Sequence, residues 1–387
     1  MSRVSWRAAT AVAVLVLSFA PPAQAQAEEI VARDLREETQ RIPVTVKDMY
    51  GRQETKQIPI TIFRPRGDGP FPLVIMNHGR ATPERRAQQG RQRYEDLSRY
   101  LVAKGFVVLL PTRVGYAESY GDFDPEATGT CNARRLEPMA DAVFDQVMAT
   151  LAFAKTLPFV DASRWIVAGQ SAGGLTAVVT VGKHPSGLIA GINFAGGSGG
   201  DPDNSPQRPC SPKSVARLWG GLAGEAAAPM IWLYWQNDQY WGPEIPKQWH
   251  AAWVAGGGKA EFHSFPAVGK DGHGGSGIDM DHWVPVVDDF LVRLGFTKPG
   301  LVARPAPSGF AAIDEPDKVP ISPASREGPY RRFLDARMPR AFAVGPRGAW
   351  AQASGDWVLG KALGRCERSG GGPCKLYAVD ADVVWTP

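Results

Sequence analysis

The chain has 387 residues, with 43 Lys and Arg against 39 Asp and Glu, a formal net charge of +4, and twelve tryptophans. A balance so close to neutral gives no basis for nucleic-acid or membrane-surface binding. The length admits one large α/β domain and something smaller. Residues 1–27 read as a secretory leader. Arg3 and Arg7 make a basic start, Ala8–Ala20 is an apolar run, and small residues around Ala25 offer a cleavage site. The competing reading, a membrane anchor, is weaker because the run is too short to span and Pro21-Pro22 ends it. Removing the leader lowers the net charge to +2. The mature protein is expected to be exported, periplasmic or secreted, without membrane insertion.

In chain order, Ile42–Val46 and Ile58–Arg64 flank the polar turn 49–52 and read as an antiparallel hairpin. Phe71–Met76 is a continuous apolar run of strand length, as for a strand covered on both faces, and leads into Asn77-His78-Gly79-Arg80. Tyr94–Lys104 predicts a helix stopped by Gly105, and Phe106–Leu110 a further buried strand. Thr112–Arg135 is long and irregular. Ala140, Val143, Val147, Leu151 and Ala154 then share one helical face, with Pro138 suited to a first turn. Strand-like runs follow at Trp165–Ala168, Gly187–Phe194, Met230–Trp235 and Glu261–Phe265. Helices are predicted after Ser171, through Trp249 and Trp253, and over Val284–Leu294. Solidly apolar strands alternating with helices predict a mainly parallel sheet with helices on both faces, over residues 28–297. Residues 298–329 are rich in Pro, Ala and Ser and read as a linker. Residues 330–387 read as a small domain of short strands, with one helix near Gly360–Arg365. Four cysteines in an exported chain predict two disulfides. Cys366 and Cys374 flank a Gly-rich stretch and form the local pair, which leaves Cys131 with Cys210.

The chemistry centres on Gly169-Gln170-Ser171-Ala172-Gly173, a G-x-S-x-G pentapeptide between an apolar strand and a helix-favouring stretch. Strand, sharp turn and helix lift the Ser171 hydroxyl above the sheet, and the glycines two before and two after it leave room for the turn. A hydroxyl is a poor nucleophile near neutral pH, so Ser171 requires a base and a group that orients the base. Both partners are sought on loops at the same strand ends as Ser171. Asp238, after Met230–Trp235, is the expected acid, and His273, after Glu261–Phe265, the expected base. Asp201 and Asp203 are the alternative acids. Among the six histidines His282 is the rival base, although it precedes Trp283 at a helix start, where capping or packing is commoner. His184 and His250 fall on helices, and His263 lies inside a strand. The oxyanion donors are expected to be the backbone amides of Ala172 and Arg80, with Gly79 as the alternative to Arg80. His78, Gly79, Gln170, Tyr240 and Trp241 are the expected substrate-pocket residues. No metal cluster or cofactor motif is visible.

These pieces carry a resemblance. Residues from about Ile42 to Phe296 resemble an α/β-hydrolase, most closely its dienelactone hydrolase-like branch and exported esterase relatives. The matching residues are Asn77-His78-Gly79-Arg80, Gly169 to Gly174, Asn237-Asp238 and Asp271-Gly272-His273. Dienelactone hydrolases carry a cysteine nucleophile where this chain has Ser171, so the resemblance implies ordinary carboxylic esters of small molecules. A peptidase of the prolyl-oligopeptidase type keeps the same three residues and changes the bond cleaved; it is disfavoured because no propeller-sized N-terminal domain to gate peptides is read in this sequence. A non-catalytic envelope binding protein is the alternative from another class. The C-terminal segment resembles a small disulfide-bearing module appended to other exported bacterial proteins; no function is carried over from it, and its partner is unknown. All the assigned catalytic residues precede the linker, so the tail is expected to be dispensable for activity.

Overall fold

The computed structural model describes residues 32–387, apart from Pro299, Leu301 and Gly371; the leader read from the sequence lies outside them. Strands are β1 Glu38–Lys47, β2 Gln53–Phe63, β3 Phe71–Asn77, β4 Val107–Pro111, β5 Val160–Gln170, β6 Leu188–Phe194, β7 Met230–Trp235 and β8 Ala260–Phe265 in one sheet. A second sheet holds β9 Arg340–Val344, β10 Trp350–Ser354, β11 Lys375–Val379 and β12 Asp382–Val383. Helices are α1 Pro83–Gln88, α2 Glu95–Ala103, α3 Glu137–Ala154, α4 Ala172–Gly182, α5 Pro212–Leu222, α6 Ile245–Ala255, α7 Gly275–Ile278, α8 Met280–Arg293, α9 Pro323–Ser325, α10 Arg331–Asp335 and α11 Val358–Gly370.

The large sheet runs β1-β2-β4-β3-β5-β6-β7-β8. β1 and β2 form the expected antiparallel hairpin, and β2 pairs antiparallel with β4. All pairings from β4 through β8 are parallel. The hairpin strand β1 alternates, burying Ile42, Val44 and Val46 while the residues between them face water. Its turn is tied by Asp48, whose Oδ1 accepts from the amides of Tyr50 and Arg52 at 2.9 Å each. Central strands do not alternate: every residue of β4 and β7 is buried, as parallel strands covered on both faces require. Helix α4 is buried along its whole length, which its all-round apolar sequence dictates.

α5 has no counterpart in the sequence reading. Its Pro, Ser and paired glycines mask an amphipathic segment whose anchors are Val215 and Trp219. Trp219 sets its ring edge-on against Trp232 of β7 (5.0 Å) and Trp249 of α6 (5.4 Å). Helix α8 begins at Met280, four residues before the sequence suggests. The Asp356 carboxylate accepts from the amides of Met280 and Asp281 at 2.8 Å each and so caps the helix from another part of the chain.

In the small sheet, β9 splits its side chains between two layers. Ala341 and Ala343 pack with Ala351, Ala353 and α11, while Phe342 and Val344 pack with Val319, Ile321, Tyr330 and Phe333. Val319 and Ile321 come from the segment read as a linker, so that stretch is built into the core rather than spanning open solvent. α11 is longer than the helix expected near Gly360–Arg365 and carries Cys366 into the local disulfide with Cys374. The tail also docks on the large-sheet region. Trp357 is buried with the main core, edge-on to Tyr100 of α2, and Arg368 pairs with Glu95.

Candidate active site

The loops leaving the C-terminal ends of β3, β5, β6 and β7 converge, joined by the loop after β8, on a cavity of about 1260 Å³. Ser171 stands between β5 and α4 with φ +57° and ψ −122°, a conformation that a side-chain-bearing residue adopts only when its surroundings enforce it. The enforcement comes from close packing beneath the turn. A Cβ on Gly169 would lie 1.9 Å from the Gly173 carbonyl oxygen, and one on Gly173 would lie 2.0 Å from that of Asn77. Backbone bonds complete the frame: the Ser171 amide donates to Phe194 O (3.0 Å), and the Gly197 amide donates to Ser171 O (3.2 Å).

Asp238 is fully buried just beyond β7. Its Oδ1 accepts from the amides of Tyr240 (2.7 Å) and Trp241 (3.1 Å), while Oδ2 lies 3.0 Å from His273 Nδ1. With the Nδ1 proton facing that carboxylate, Nε2 is left as the acceptor. Tyr240 stacks on the imidazole (centroids 3.8 Å apart, 22° between planes) and Trp241 meets it edge-on at 5.4 Å. Asp271 locks the two loops together, since its Oδ1 accepts from the amides of His273 and Gln239 at 2.9 Å each. Neighbouring parallel strands β7 and β8 thus bring together residues 35 apart in sequence.

The serine, the carboxylate and the imidazole follow in the order Ser171, Asp238, His273, after the third, fifth and sixth strands of the parallel run β3–β8. The sheet crosses over between β3 and β4. The chain has the α/β-hydrolase fold. In this hydrolase fold the cavity is lined by Ser171, His273, Gly79, Arg80, Gln170 and Ala172, among others. As the first residue of α4, Ala172 has no intrahelical acceptor for its amide, which lies at the positive end of the helix. The Gly79 amide already donates to the Tyr94 hydroxyl (3.1 Å), whereas the Arg80 amide has no acceptor among the described residues.

Several sequence-based assignments change. His78, expected in the pocket, is buried behind it and does not line the cavity. Its Nε2 accepts from the Arg113 amide (3.0 Å), its Nδ1 lies 2.7 Å from Gly79 O, and burial together with the Arg113 charge lowers its pKa to about 3. It is therefore a neutral strut. His282 is exposed and bonded at 2.5 Å to Asp279, the acid three residues earlier, and it too is absent from the cavity wall. Asp201 and Asp203 line the cavity, but Asp201 accepts from the Asn204 amide and side chain and neither bonds His273. Trp241 lines the cavity chiefly as structure, its Nε1 donating to Ala195 O at 2.7 Å. Gln170 is a tie: its Nε2 donates to His273 O (2.9 Å) and its Oε1 accepts from Tyr94 (3.1 Å).

The residues that sequence reasoning missed are Tyr94, Asp271 and Arg134. Tyr94 reads as the apolar start of a helix, and nothing local marks its hydroxyl as reaching Gly79. Asp271 was in view beside His273, and its spacing of two residues is that of a carboxylate capping a following amide. Arg80 is charge-neutralised by Asp124 (2.5 Å) and Glu126 (3.3 Å), and Glu126 also bonds Arg113 at 2.5 Å. The disulfides are Cys131–Cys210 and Cys366–Cys374, the expected pairing, and Cys210 lies on the cavity wall.

A model of the prolyl oligopeptidase family matches residues 96–196, which takes in Ser171 and stops short of Asp238 and His273. A search of curated proteins finds no match. Solved structures similar to this chain include a provisionally named dienelactone hydrolase of Klebsiella pneumoniae, 18% identical, covering 67% of this chain and 98% of its own, with a TM-score of 0.43. An acylaminoacyl peptidase of Pyrococcus horikoshii is 17% identical over 62% of this chain and 38% of its own (TM-score 0.44). The esterase Pf2001 of Pyrococcus furiosus is 12% identical over 68% and 93% (TM-score 0.46). The chain thus spans less than half of the peptidase's length.

Proposed function

We propose that this protein is a serine hydrolase that cleaves carboxylic esters through an acyl-enzyme on Ser171. The observation carrying this reading is that Ser171, on its positive-φ turn, and His273, held from behind by the buried Asp238, line one cavity. In the proposed reaction His273 Nε2 takes the Ser171 proton as the oxygen attacks the ester carbonyl. Asp238 holds the imidazole with Nε2 free and stabilises the imidazolium. The Ala172 and Arg80 amides receive the charge developing on the carbonyl oxygen. His273 then protonates the departing alcohol, and water activated by the same imidazole releases the acid.

The two disulfides support an oxidising compartment, in keeping with export. No helix among the described residues is long and apolar enough to cross a membrane. The partial match to the prolyl oligopeptidase family favours a second reading, in which the same groups cleave an amide. A fluorophosphonate probe tests the shared chemistry: labelling should map to Ser171 and vanish in Ser171→Ala. Labelling that survives the substitution would refute it. Side-by-side panels of esters and aminoacyl amides then choose between the two bonds, and faster turnover of the amides would replace the ester reading.

A further inference from the structure

Arg134 lies on the wall of the same cavity as Ser171 and is more than half buried, yet it has no carboxylate partner among the described residues. Its neighbours are neutral. Nη1 donates to Cys210 O (3.1 Å), Nη2 to the Ser198 hydroxyl and to Thr128 Oγ1 (3.2 Å), and Nε also to Thr128 Oγ1 (3.2 Å). Burial, with the nearby charge of Arg80, lowers its pKa to about 10, the mark of a cation short of compensation. The contrast with Arg80, which is matched by Asp124 and Glu126, is direct.

The donor inventory around it is equally one-sided. Five guanidinium N–H groups meet three acceptors, and the second Nη1–H has none among the described residues. Ser198 and Thr128 both accept from Arg134, so the proton of each hydroxyl remains to be donated, and both residues line the cavity. Three donors and one positive charge are therefore gathered at one place. That place is held rigidly: the Cys131–Cys210 disulfide fixes the carbonyl that Arg134 bonds, and a Cβ on Gly199 would lie 2.4 Å from its Nη1. It is also tied to the nucleophile, because Ser198 follows Gly197, whose amide bonds Ser171 O. None of the acids that share the cavity wall, Glu84, Glu126, Asp201 and Asp203, bears a hydrogen bond to Arg134; Glu126 is paired with Arg80 and Arg113, and Asp201 is occupied by Asn204.

We infer that Arg134, with the Ser198 and Thr128 hydroxyls, is a specificity subsite that receives a carboxylate carried by the substrate. The inference rests on the hydrolase reading above, and names the substrate class as esters bearing a carboxylate at a distance from the scissile bond. A planar guanidinium fork matches a carboxylate where a lysine ammonium would not.

The carboxylate could sit on the acyl or on the alcohol side, so two pairs of substrates are compared. 4-Nitrophenyl hydrogen adipate is measured against 4-nitrophenyl hexanoate, and 4-acetoxybenzoate against 4-methylphenyl acetate. In one pair the wild-type kcat/KM should favour the anion. In Arg134→Gln that anionic-to-neutral ratio should fall by about tenfold or more, mostly through KM, because a remote contact contributes equally to ground and transition states. The ratio within each variant cancels any general loss, and Arg134→Lys, which keeps the charge but not the fork, should fall in between. An unchanged ratio in both pairs would overturn the assignment. Calorimetric titration of Ser171→Ala with adipate separates this failure from that of the hydrolase reading, since it needs no turnover. Adipate binding that weakens on adding Arg134→Gln supports the subsite even if no ester is cleaved, and binding indifferent to Arg134, or none, refutes it.

Discussion

Replacing Asp238 by Asn removes one charge and turns one acceptor oxygen into an NH₂ donor with little change in the shape of the side chain, and the surroundings determine how the amide must sit. Asp238 Oδ1 accepts two backbone N–H bonds, from Tyr240 and Trp241. An Asn side chain keeps both only by placing its carbonyl oxygen there, which turns its NH₂ toward His273 Nδ1. That nitrogen must then accept, so the imidazole proton moves to Nε2, the nitrogen assigned to take the serine proton. A base in this tautomer cannot take the serine proton. The loss should be about 10³–10⁴-fold in kcat/KM, as for a triad whose histidine is held in the wrong tautomer, or about 4–5.5 kcal/mol of transition-state stabilisation. The fold should survive, because both amide bonds are retained. The assay is initial-rate hydrolysis of 4-nitrophenyl acetate at neutral pH, with circular dichroism and thermal unfolding as controls. A loss below tenfold in a protein that unfolds like wild type would refute the role given to Asp238. So would a larger loss in Asp271→Asn, whose carboxylate bonds only backbone amides.

Glu126→Gln should destabilise the protein by about 3–5 kcal/mol in denaturant unfolding, because Arg113, fully buried against it, would lose its counter-charge. Burial alone would raise the Glu126 carboxyl, but the charge and hydrogen bond of Arg113, with the charge of Arg80, bring it down to about 2 from 4.5. A depressed carboxyl stabilises above its unfolded value and stops doing so as the folded group protonates. The deficit of the variant should therefore be full above about pH 4.5 and narrow as pH falls toward 2; a deficit independent of pH would contradict this. Cys131→Ser with Cys210→Ser opens a link spanning 79 residues, which the chain-entropy model values at about 4–5 kcal/mol as an upper figure. The unfolding temperature should drop, and KM should rise more for bulky than for small esters; no change in either would show the link to be idle. Asp356→Ala should cost about 1 kcal/mol through the lost cap of α8, checked by equilibrium unfolding. Because Trp357 is buried with Tyr100, deleting residues 305–387 should lower stability sharply rather than leave a sound enzyme, and an equally stable truncated protein would show the docking to be dispensable.

The parts legible in the sequence are those governed by short-range physics. Apolar runs such as Met230–Trp235 and Phe106–Leu110 read as strands covered on both faces because no polar alternation interrupts them. Gly169 and Gly173 mark a turn that only Cβ-free residues can close, and their spacing singles out Ser171. The order of acid and base along the chain comes from the resemblance to α/β-hydrolases, while the parallel strands put both at the edge where Ser171 stands. Other features depend on which distant residues meet. Both Asp271–His273 and Asp279–His282 put an acid near a histidine in sequence. Only the adjacency of β7 and β8 gives His273 the buried Asp238, while Asp279, buried and bonded also by Trp235, holds a His282 that faces solvent at the start of α8. His78 looked like a pocket residue until Arg113, 35 positions away, claimed its Nε2. The α8 boundary lies four residues before the one read from the sequence because its cap, Asp356, arrives from 76 residues downstream. Tyr94 and Arg134 carried no local signal at all. A hydroxyl's or a guanidinium's partners are chosen by packing, and burial without a counter-charge can be seen only once the chain has closed around it.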